Sequence, residues 1–231
     1  MPGDDVQLKR EIAIATDAGD GAFMLLELRV HEELGRLFRI EAVVRAQRAN
    51  INLDSLLGTN ATARVTVKQG AQRYFNGIIS RISRSGEKNT ELDYTLVIVP
   101  QIWLATRTTD CTIAQNMTVP AIVKEYLEHY DVVVDDQLKG TYRSWEYCVQ
   151  YRESDFNFIS RLMEQEGISY FFEHKNGAHT MVLCDDPLSH KPLPNTPEVE
   201  FFPPNPDMPP PANTLSDWTF DADLESASVA L

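Results

Sequence analysis

Apolar and polar side chains alternate along most of the first 100 residues. The alternation predicts six short strands, at residues 6–14, 23–30, 38–46, 63–67, 74–82 and 92–99. A period of two places successive side chains on opposite faces of a strand, so each strand has one apolar face. Six such strands without a long helix between them predict an antiparallel barrel or sandwich.

Two smaller features interrupt this alternation. Residues 52–57 predict a short helical turn that ends at Gly58. Gly77 lies inside the fifth predicted strand, where a glycine indicates a bulge or a close approach of another backbone.

Helical spacing replaces the alternation after Pro100. A first helix is predicted after Thr118, because the apolar residues that follow lie on one face: Ile122, Val123, Tyr126, Leu127 and Tyr130. A short apolar strand at 132–134 follows. A second helix is predicted between Ser154, a good N-cap, and Gly167, a good C-terminal residue.

Strands flank the second helix. Residues 145–151 alternate before it, and residues 168–173 and 179–184 predict a hairpin after it. Asn176-Gly177 marks the turn, and His174 and Lys175 indicate a loop longer than two residues. Residues 108–186 are therefore predicted to be α+β.

The last part of the chain is rich in proline. Ten of the 13 prolines lie between Pro187 and Pro211, which predicts an extended connector because proline cannot donate a hydrogen bond to a sheet. Trp218, Phe220, Ala222 and Leu224 then alternate as one further strand. We expect this strand to open a domain that the 231 residues do not complete.

Composition excludes several functions. A formal charge of −13 opposes non-specific binding to nucleic acid or anionic membrane. No apolar run reaches the roughly 20 residues of a membrane span, and the N-terminus lacks the pattern of a signal peptide. The three cysteines, Cys111, Cys148 and Cys184, have no paired spacing and are expected to be reduced and mostly buried.

Candidate chemistry is sparse. His174 and His179 flank a hairpin and could face each other, but no third metal ligand lies nearby in sequence. Cys184, Asp185 and Asp186 are a second weak metal candidate, with a strand end as the simpler interpretation. The chain has no nucleophile elbow, phosphate loop or dinucleotide motif. No catalytic, cofactor-binding or metal-binding residue is predicted, and no cofactor is expected. A pair of carboxylates for glycoside hydrolysis stays an open alternative, because any acidic chain contains candidate pairs.

Aromatic residues are concentrated in the second region. They could form a sugar or base platform, but alternation places about half of them inward, and core packing is the expected role of Tyr147, Tyr151, Phe156, Phe158, Tyr170, Phe171 and Phe172.

Several sequence blocks together resemble the VgrG family of type VI secretion tip proteins. The strongest are Glu-Tyr-Cys-Val-Gln-Tyr-Arg-Glu-Ser-Asp-Phe at 146–156 and Glu-Gln-Glu-Gly-Ile-Ser-Tyr-Phe-Phe-Glu-His at 164–174. Others are Phe-Arg-Ile-Glu at 38–41, Leu-Leu-Gly at 56–58, Arg-Tyr-Phe-Asn-Gly-Ile-Ile at 73–79 and Pro-Gln-Ile-Trp-Leu at 100–104. The blocks extend over nearly the whole chain.

The resemblance implies a mainly β hub with an α+β part. It implies a first hub-like β-barrel at residues 5–105, an intermediate α+β domain at 106–200, a connector at 201–213 and the first strand of a second barrel at 214–231. In that family three chains present six barrels to the hexameric Hcp tube ring.

The function implied is structural rather than enzymatic. The expected partners are two further copies in the full-length protein, the Hcp ring, baseplate components and effectors, with no nucleic acid and no membrane anchor. The expected location is the bacterial cytoplasm during assembly, followed by secretion through the type VI apparatus without a signal peptide. The alternatives are the hub of a related phage-like contractile particle and, more distantly, a cell-wall glycan hydrolase.

Overall fold

The computed structural model describes residues 10–19, 21–47, 51–67, 71–88, 91–186, 188, 199–204, 208, 211, 214–215 and 217–220. The chain divides into two compact units, residues 1–189 and residues 190–231. Among the described residues, no helix combines the length and the apolarity that a membrane crossing requires.

The first unit begins with a six-stranded antiparallel sheet. Its strands are β1 (Ile12–Thr16), β2 (Phe23–His31), β3 (Arg39–Ala46), β4 (Asn60–Thr66), β5 (Gln72–Lys88) and β6 (Glu91–Val99). Their spatial order is β1-β4-β5-β6-β3-β2. The two end strands, β1 and β2, also contact each other, and the Arg10 guanidinium donates a 3.0 Å hydrogen bond to the Leu25 carbonyl in β2. The sheet is therefore a nearly closed barrel, which confirms the predicted fold class.

Apolar side chains fill the interior of this barrel. Those with no exposed surface include Leu25, Ile40, Ile79, Leu96 and Ile98. Their alternation along the strands with partly exposed positions is the pattern from which the strands were predicted.

Gly77 in β5 shows the close approach that its place in a strand predicts. A Cβ atom there would lie 2.5 Å from the Val99 carbonyl oxygen and 3.1 Å from the Phe38 ring. The bulges between β5 and β6 lie further along, between Ile79 and Arg81 and between Arg84 and Gly86. Only glycine fits at position 77 without displacing the neighbouring strand.

Helices, a hairpin and a two-stranded ribbon form the rest of the first unit. A 3-10 helix (Gln101–Thr106) is followed by β7 (Thr109–Thr118), α1 (Val119–His129), β8 (Val134–Asp136), β9 (Ser144–Ser154), α2 (Asp155–Glu166), β10 (Ser169–Lys175) and β11 (Ala178–Cys184). β7 pairs with β9 to form the ribbon, and β10, β11 and β8 form a second small sheet. This arrangement confirms the α+β character of the region.

Both helices begin, and α2 ends, as the sequence predicts. The Thr118 hydroxyl accepts a hydrogen bond from the Ala121 amide at the start of α1, and the Ser154 hydroxyl accepts one from the Asn157 amide at the start of α2. Gly167 ends α2 in the left-handed conformation, at φ +70°.

Four local predictions need correction or extension. The hairpin loop is not longer than two residues, because Lys175 pairs with Ala178 and only Asn176-Gly177 turn. The strand predicted at 132–134 begins at Val134 instead. β7 was not predicted at all, because its ten residues are mostly polar. The helical turn predicted at 52–57 is a 3-10 helix, Asp54–Leu56. Residues 6–9 of the first predicted strand lie outside the described residues, and the described part of that strand is β1.

The second unit contains two short parallel strands, β12 (Glu200–Phe201) and β13 (Thr214–Leu215). The Phe202 amide also donates to the Leu215 carbonyl, at 2.7 Å. Of the strand predicted over 214–231, Thr214–Leu215 is a strand, residues 217–220 belong to none, and residues 221–231 lie outside the described residues. The predicted domain boundaries at 105, 200 and 213 stay predictions.

Candidate protein interface

The two histidines that the sequence placed on the hairpin face each other across it. His174 pairs with His179, and the centres of their rings are 6.4 Å apart. Both rings pack against the Phe38 ring of the barrel, at 4.7 Å and 5.6 Å between centres. The pair therefore lies between the hairpin and the barrel, where we call it the histidine joint.

Every ring nitrogen in the histidine joint has a protein partner. His174 Nδ1 lies 3.0 Å from the Asn76 backbone nitrogen and 3.1 Å from the Asn76 backbone carbonyl oxygen, and His174 Nε2 lies 3.1 Å from the Glu32 carboxylate. His179 Nε2 accepts from the Gln101 backbone amide at 3.0 Å, so its Nδ1 donates to the Asn76 side-chain oxygen at 2.8 Å. The partners of His179 assign its tautomer, since a neutral ring has one donor and one acceptor nitrogen.

Asn76 is the centre of the joint on the barrel side. Its side chain has no exposed surface, and its side-chain nitrogen Nδ2 donates to Thr62 Oγ1 at 2.7 Å and to Asn60 Oδ1 at 2.8 Å. A buried amide with all its groups bonded fixes one geometry, because any other would leave a polar atom unpaired.

Burial lowers the pKa of His179, and neighbouring groups lower that of Glu32. Burial, with a smaller contribution from His174, lowers the pKa of His179 to about 4. The pKa of Glu32 lies below its usual range, first because His174 donates a hydrogen bond to its carboxylate, and also because His174 and Arg73 lie close to it. Near neutral pH, His179 is therefore uncharged.

Neither weak metal candidate assembles a metal site. Within the described residues, no three His, Cys, Asp or Glu side chains are grouped so that they could hold an ion. Cys184 is buried, and the Asp185 carboxylate accepts hydrogen bonds from the Tyr142 hydroxyl at 2.7 Å and from the backbone amides of Lys139 and Gly140. These bonds lower the pKa of Asp185, that from Tyr142 most, and the carboxylate anchors a loop.

The ribbon presents several exposed apolar side chains on one face. Its outer face consists of the side chains that alternate away from the helices: Cys111, Ile113, Gln115, Tyr147, Val149 and Tyr151. Ile113, Tyr147 and Tyr151 are 62%, 61% and 65% exposed. Large apolar side chains grouped on one exposed face are typical of a protein-binding surface.

The inner face of the ribbon is held by buried polar side chains. Gln150 has no exposed surface, and its amide oxygen accepts from Tyr126 on α1 at 2.7 Å and from Thr112 on β7 at 3.0 Å. Its amide nitrogen donates to Asp155 at 2.8 Å, and Tyr130 donates to the other oxygen of the same carboxylate at 2.5 Å. The ribbon is thus fixed to both helices, and its outer face is rigidly presented.

The ribbon also contains unusual backbone conformations. Arg152 has φ +51° and is the extra residue of a bulge, since Asp110 pairs with Glu153 and Cys111 with Tyr151. Asn116 in β7 has φ +54°. A positive φ is strained for an arginine, and bulges of this kind turn side chains at the edges of sheets.

One edge of β9 carries no further strand in the described part of the chain. The Arg161 guanidinium donates to the Val149 carbonyl at 2.7 Å, so the backbone groups of Val149 face away from β7. Because peptide groups alternate along an antiparallel strand, those of Trp145 and Tyr147 face the same way. The open edge lies beside α2 and could accept an added strand.

The aromatic residues divide between core and surface. Phe158 and Tyr170 are buried, as the sequence predicts, whereas Tyr147 and Tyr151 are not core residues. Sequence reasoning missed Cys111 and Ile113 because β7 was not predicted. Their alternation with Thr112 and Ala114 was the available signal, but it is short and flanked by polar residues.

Comparison with known proteins gives a consistent result. A family model described as phage tail baseplate hub (GPD) matches residues 31–231. The type VI secretion system spike protein VgrG1b of Pseudomonas aeruginosa is 36% identical over 226 residues, which cover 97% of this chain and 30% of that protein. VgrG1a of the same organism is 38% identical over 200 residues, 86% of this chain and 31% of that protein. The chain thus spans about 30% of the length of these relatives.

Solved structures share the fold. The E. coli c3393 protein, described as a type VI secretion component similar to phage T4 tail proteins gp27 and gp5, superposes with a TM-score of 0.62 at 24% identity, covering 73% of this chain and 50% of that one. A prophage MuSo2 tail protein from Shewanella oneidensis gives 0.51 at 12% identity, covering 75% of this chain and 52% of that one. These likenesses concern the fold alone.

Proposed function

The chain belongs to the phage tail baseplate hub family, and from this membership we propose that it is the base of a type VI secretion spike, structural rather than enzymatic. The observation that carries the proposal is the nearly closed barrel together with the family match over residues 31–231. The relatives it matches at 36% and 38% identity are spike proteins.

The base works by shape and symmetry. Three copies present barrels in a ring, and this ring docks on the flat end of the Hcp tube. The rigid interior of the barrel suits this role, because a closed sheet keeps its rim in one shape under load. When the surrounding sheath contracts, the tube drives the spike and attached effectors outward.

The environment follows from the same proposal. Assembly takes place in the bacterial cytoplasm, with the Hcp ring and baseplate components as partners, and the assembled spike leaves through the type VI apparatus. The charge of −13 suits protein partners better than nucleic acid.

Electron microscopy of the full-length protein tests this proposal. Purified protein is mixed with preformed Hcp tubes, and the tube ends are imaged. We expect trimeric caps on one end of the tubes, and tubes without the protein serve as the control. Uncapped ends at saturating protein concentration would contradict the proposal.

The hub of a phage-like contractile particle is the second candidate. The fold likeness to the MuSo2 tail protein supports it. The same experiment with phage tail tubes separates the two candidates, since the flat ring that the base caps differs between them.

A further inference from the structure

We propose that the histidine joint is an acid-operated latch, which holds the β10–β11 hairpin on the barrel at neutral pH and releases it when His179 gains a proton. The released hairpin leaves the six-stranded barrel folded. This role is independent of the proposed function, because it concerns contacts within one chain.

Much of the polar attachment of the hairpin to the barrel passes through the two imidazole rings. The Asn76 backbone contacts His174 Nδ1, and the Asn76 side-chain oxygen accepts from His179 Nδ1 at 2.8 Å. Glu32 lies 3.1 Å from His174 Nε2. Further hydrogen bonds lie outside the joint: the Gly35 amide donates to the Tyr170 carbonyl at 2.8 Å, and the Asn60 side chain donates to the Gly177 carbonyl at 3.3 Å.

His179 is the member of the joint whose protonation breaks a contact. Its Nε2 accepts from the Gln101 backbone amide at 3.0 Å, and its Nδ1 is already a donor to Asn76. A proton on Nε2 makes it a second donor that faces the Gln101 N–H, so the contact becomes repulsive. Asn76 cannot rotate to compensate, because its Nδ2 is bonded to Thr62 and Asn60. The charged ring is therefore accommodated when the hairpin moves away.

In the described part of the chain, the charged groups around His179 leave it without a counterion. His174 on β10 faces it, with the ring centres 6.4 Å apart. Glu32 lies beside His174 and 3.3 Å from the Arg73 guanidinium of β5, so its charge is already shared. Phe38 contributes an apolar ring. The charged neighbours of His174 in β10 alternate to the opposite face of the hairpin: Glu173 and Lys175.

A proton binds His179 more readily after the hairpin has moved away. Burial, with a smaller contribution from His174, lowers the pKa of the docked ring to about 4. Outside the joint the ring has its ordinary pKa of 6.5. Because the released state binds the proton more tightly, a fall in pH between these two values shifts the equilibrium toward release.

The barrel does not need the hairpin for its own core. Its interior side chains, such as Ile40 and Leu96, are buried by the barrel strands, and the strands pair with one another. The hairpin adds the ring of Phe172, 5.0 Å between centres from Phe38, and the two imidazoles. Release thus exposes one side of Phe38 and leaves the strand ladders intact, as expected of a local opening rather than of global unfolding.

Hydrogen exchange of single backbone amides, followed by NMR on the full chain between pH 6.5 and pH 4, tests the latch. The rates are corrected for the intrinsic pH dependence of exchange, so that they report the opening of each site. We expect the opening equilibrium of the Gln101 amide to rise roughly 50-fold at pH 4, as the two pKa values of His179 require. The Gly35 amide should open by the same factor, since the departing hairpin takes the Tyr170 carbonyl with it.

Two other amides mark the competing processes. The Trp103 amide donates to the Pro100 carbonyl at 2.9 Å in the same 3-10 helix, outside the joint, so its opening should not respond to pH. Leu96 lies in β6 between β3 and β5 and marks global unfolding. Urea should promote the opening of Leu96 strongly and that of Gln101 only slightly, because the effect of urea scales with the surface exposed.

A histidine variant tests the cause of the response. His179→Gln should remove the pH response at Gln101, because no titrating group is left in contact with that amide. His31→Gln is the matched control, since His31 is exposed on the barrel and its ring contacts Glu33 outside the joint. It should keep the response, and circular dichroism checks that both variants fold. In the unmodified chain, the ¹⁵N shifts of the His179 ring should titrate near pH 4.

The outcomes decide between the latch and its alternatives. Opening of Gln101 with the urea dependence of Leu96 would show that the hairpin stays docked until the barrel unfolds, which overturns the latch. A response shared by Gln101 and Trp103 but absent at Gly35 would assign the effect to fraying of the 3-10 helix and also overturns it. So does a His179 ring that titrates near pH 6.5, or a response that survives in His179→Gln. In each of these cases the proposed function stands, since capping of Hcp tubes at neutral pH does not require release.

Discussion

The barrel and the ribbon are both built from antiparallel strands, but they use their side chains differently. In the barrel, apolar residues such as Ile40 and Leu96 have no exposed surface. In the ribbon, only the inner face is buried, and the outer face keeps Ile113 and both tyrosines exposed. The barrel therefore completes its own core, whereas the ribbon leaves apolar surface for another molecule.

Backbone strain is divided in the same way. Among the described residues, the non-glycine residues with positive φ are Asn116, Asp131 and Arg152, and none lies in the six barrel strands. Two of the three lie in the ribbon. Strain of this kind persists where the surrounding structure enforces it, often at functional surfaces. The difference indicates that the barrel is selected for packing and the ribbon for what it presents.

The largest expected effect is at Gly77, where the barrel has no spare room. We expect Gly77→Ala to lower the free energy of unfolding by about 3 kcal/mol, because the new Cβ would meet the Val99 carbonyl at 2.5 Å. Urea denaturation followed by circular dichroism measures this loss.

A ribbon substitution is the control for Gly77→Ala. Gln115→Ala on the exposed outer face should change the free energy of unfolding by less than about 0.5 kcal/mol in the monomer. Equally small effects of both substitutions would contradict the inference that β5 packs tightly against β6 at Gly77. They would also contradict the contrast drawn between barrel and ribbon.

The same contrast explains what the sequence could predict. The barrel strands were found because their alternation is sustained, as in Arg39–Ala46, and both helices because the N-caps Thr118 and Ser154 mark their starts. β7 was missed because Thr109–Thr118 is mostly polar and its pairing with β9 depends on contacts distant in sequence. The histidine joint was predicted in part. The sequence indicated that His174 and His179 could face each other, but not that Asn76, about 100 residues away, binds both rings.

Acid should destabilise the chain through the histidine joint, where the hairpin packs against the barrel. His179 has a folded pKa of about 4, below the 6.5 of the unfolded chain, so the unfolded state binds its proton more readily. The stability that this difference contributes is complete above pH 6.5 and is lost as the pH falls toward 4. We expect a loss of about 2 kcal/mol over that interval, measured by urea denaturation at a series of pH values.

A pair of histidine variants tests the origin of that loss. His179→Gln removes the titrating group, so its stability should vary less between pH 6.5 and pH 4. His129→Gln, at an exposed position in α1, should keep the pH dependence of the unmodified chain. Glu32 adds a second loss at lower pH, because its folded pKa is also lowered. Equal pH dependence in both variants would assign the effect to groups outside the histidine joint.

The smallest effect concerns the strain in the ribbon. Arg152→Gly should raise the free energy of unfolding by about 0.5 kcal/mol, because glycine adopts φ +51° without the roughly 1 kcal/mol cost of a side chain, and an exposed contact with the Tyr151 ring is lost. Glu146→Gly, in the same strand but without a positive φ, should instead cost about 1 kcal/mol. Thermal and urea denaturation of the monomeric chain compare the two. If Arg152→Gly destabilised the chain as much as Glu146→Gly, the bulge would hold no strain, and the ribbon would differ from the barrel in exposure alone.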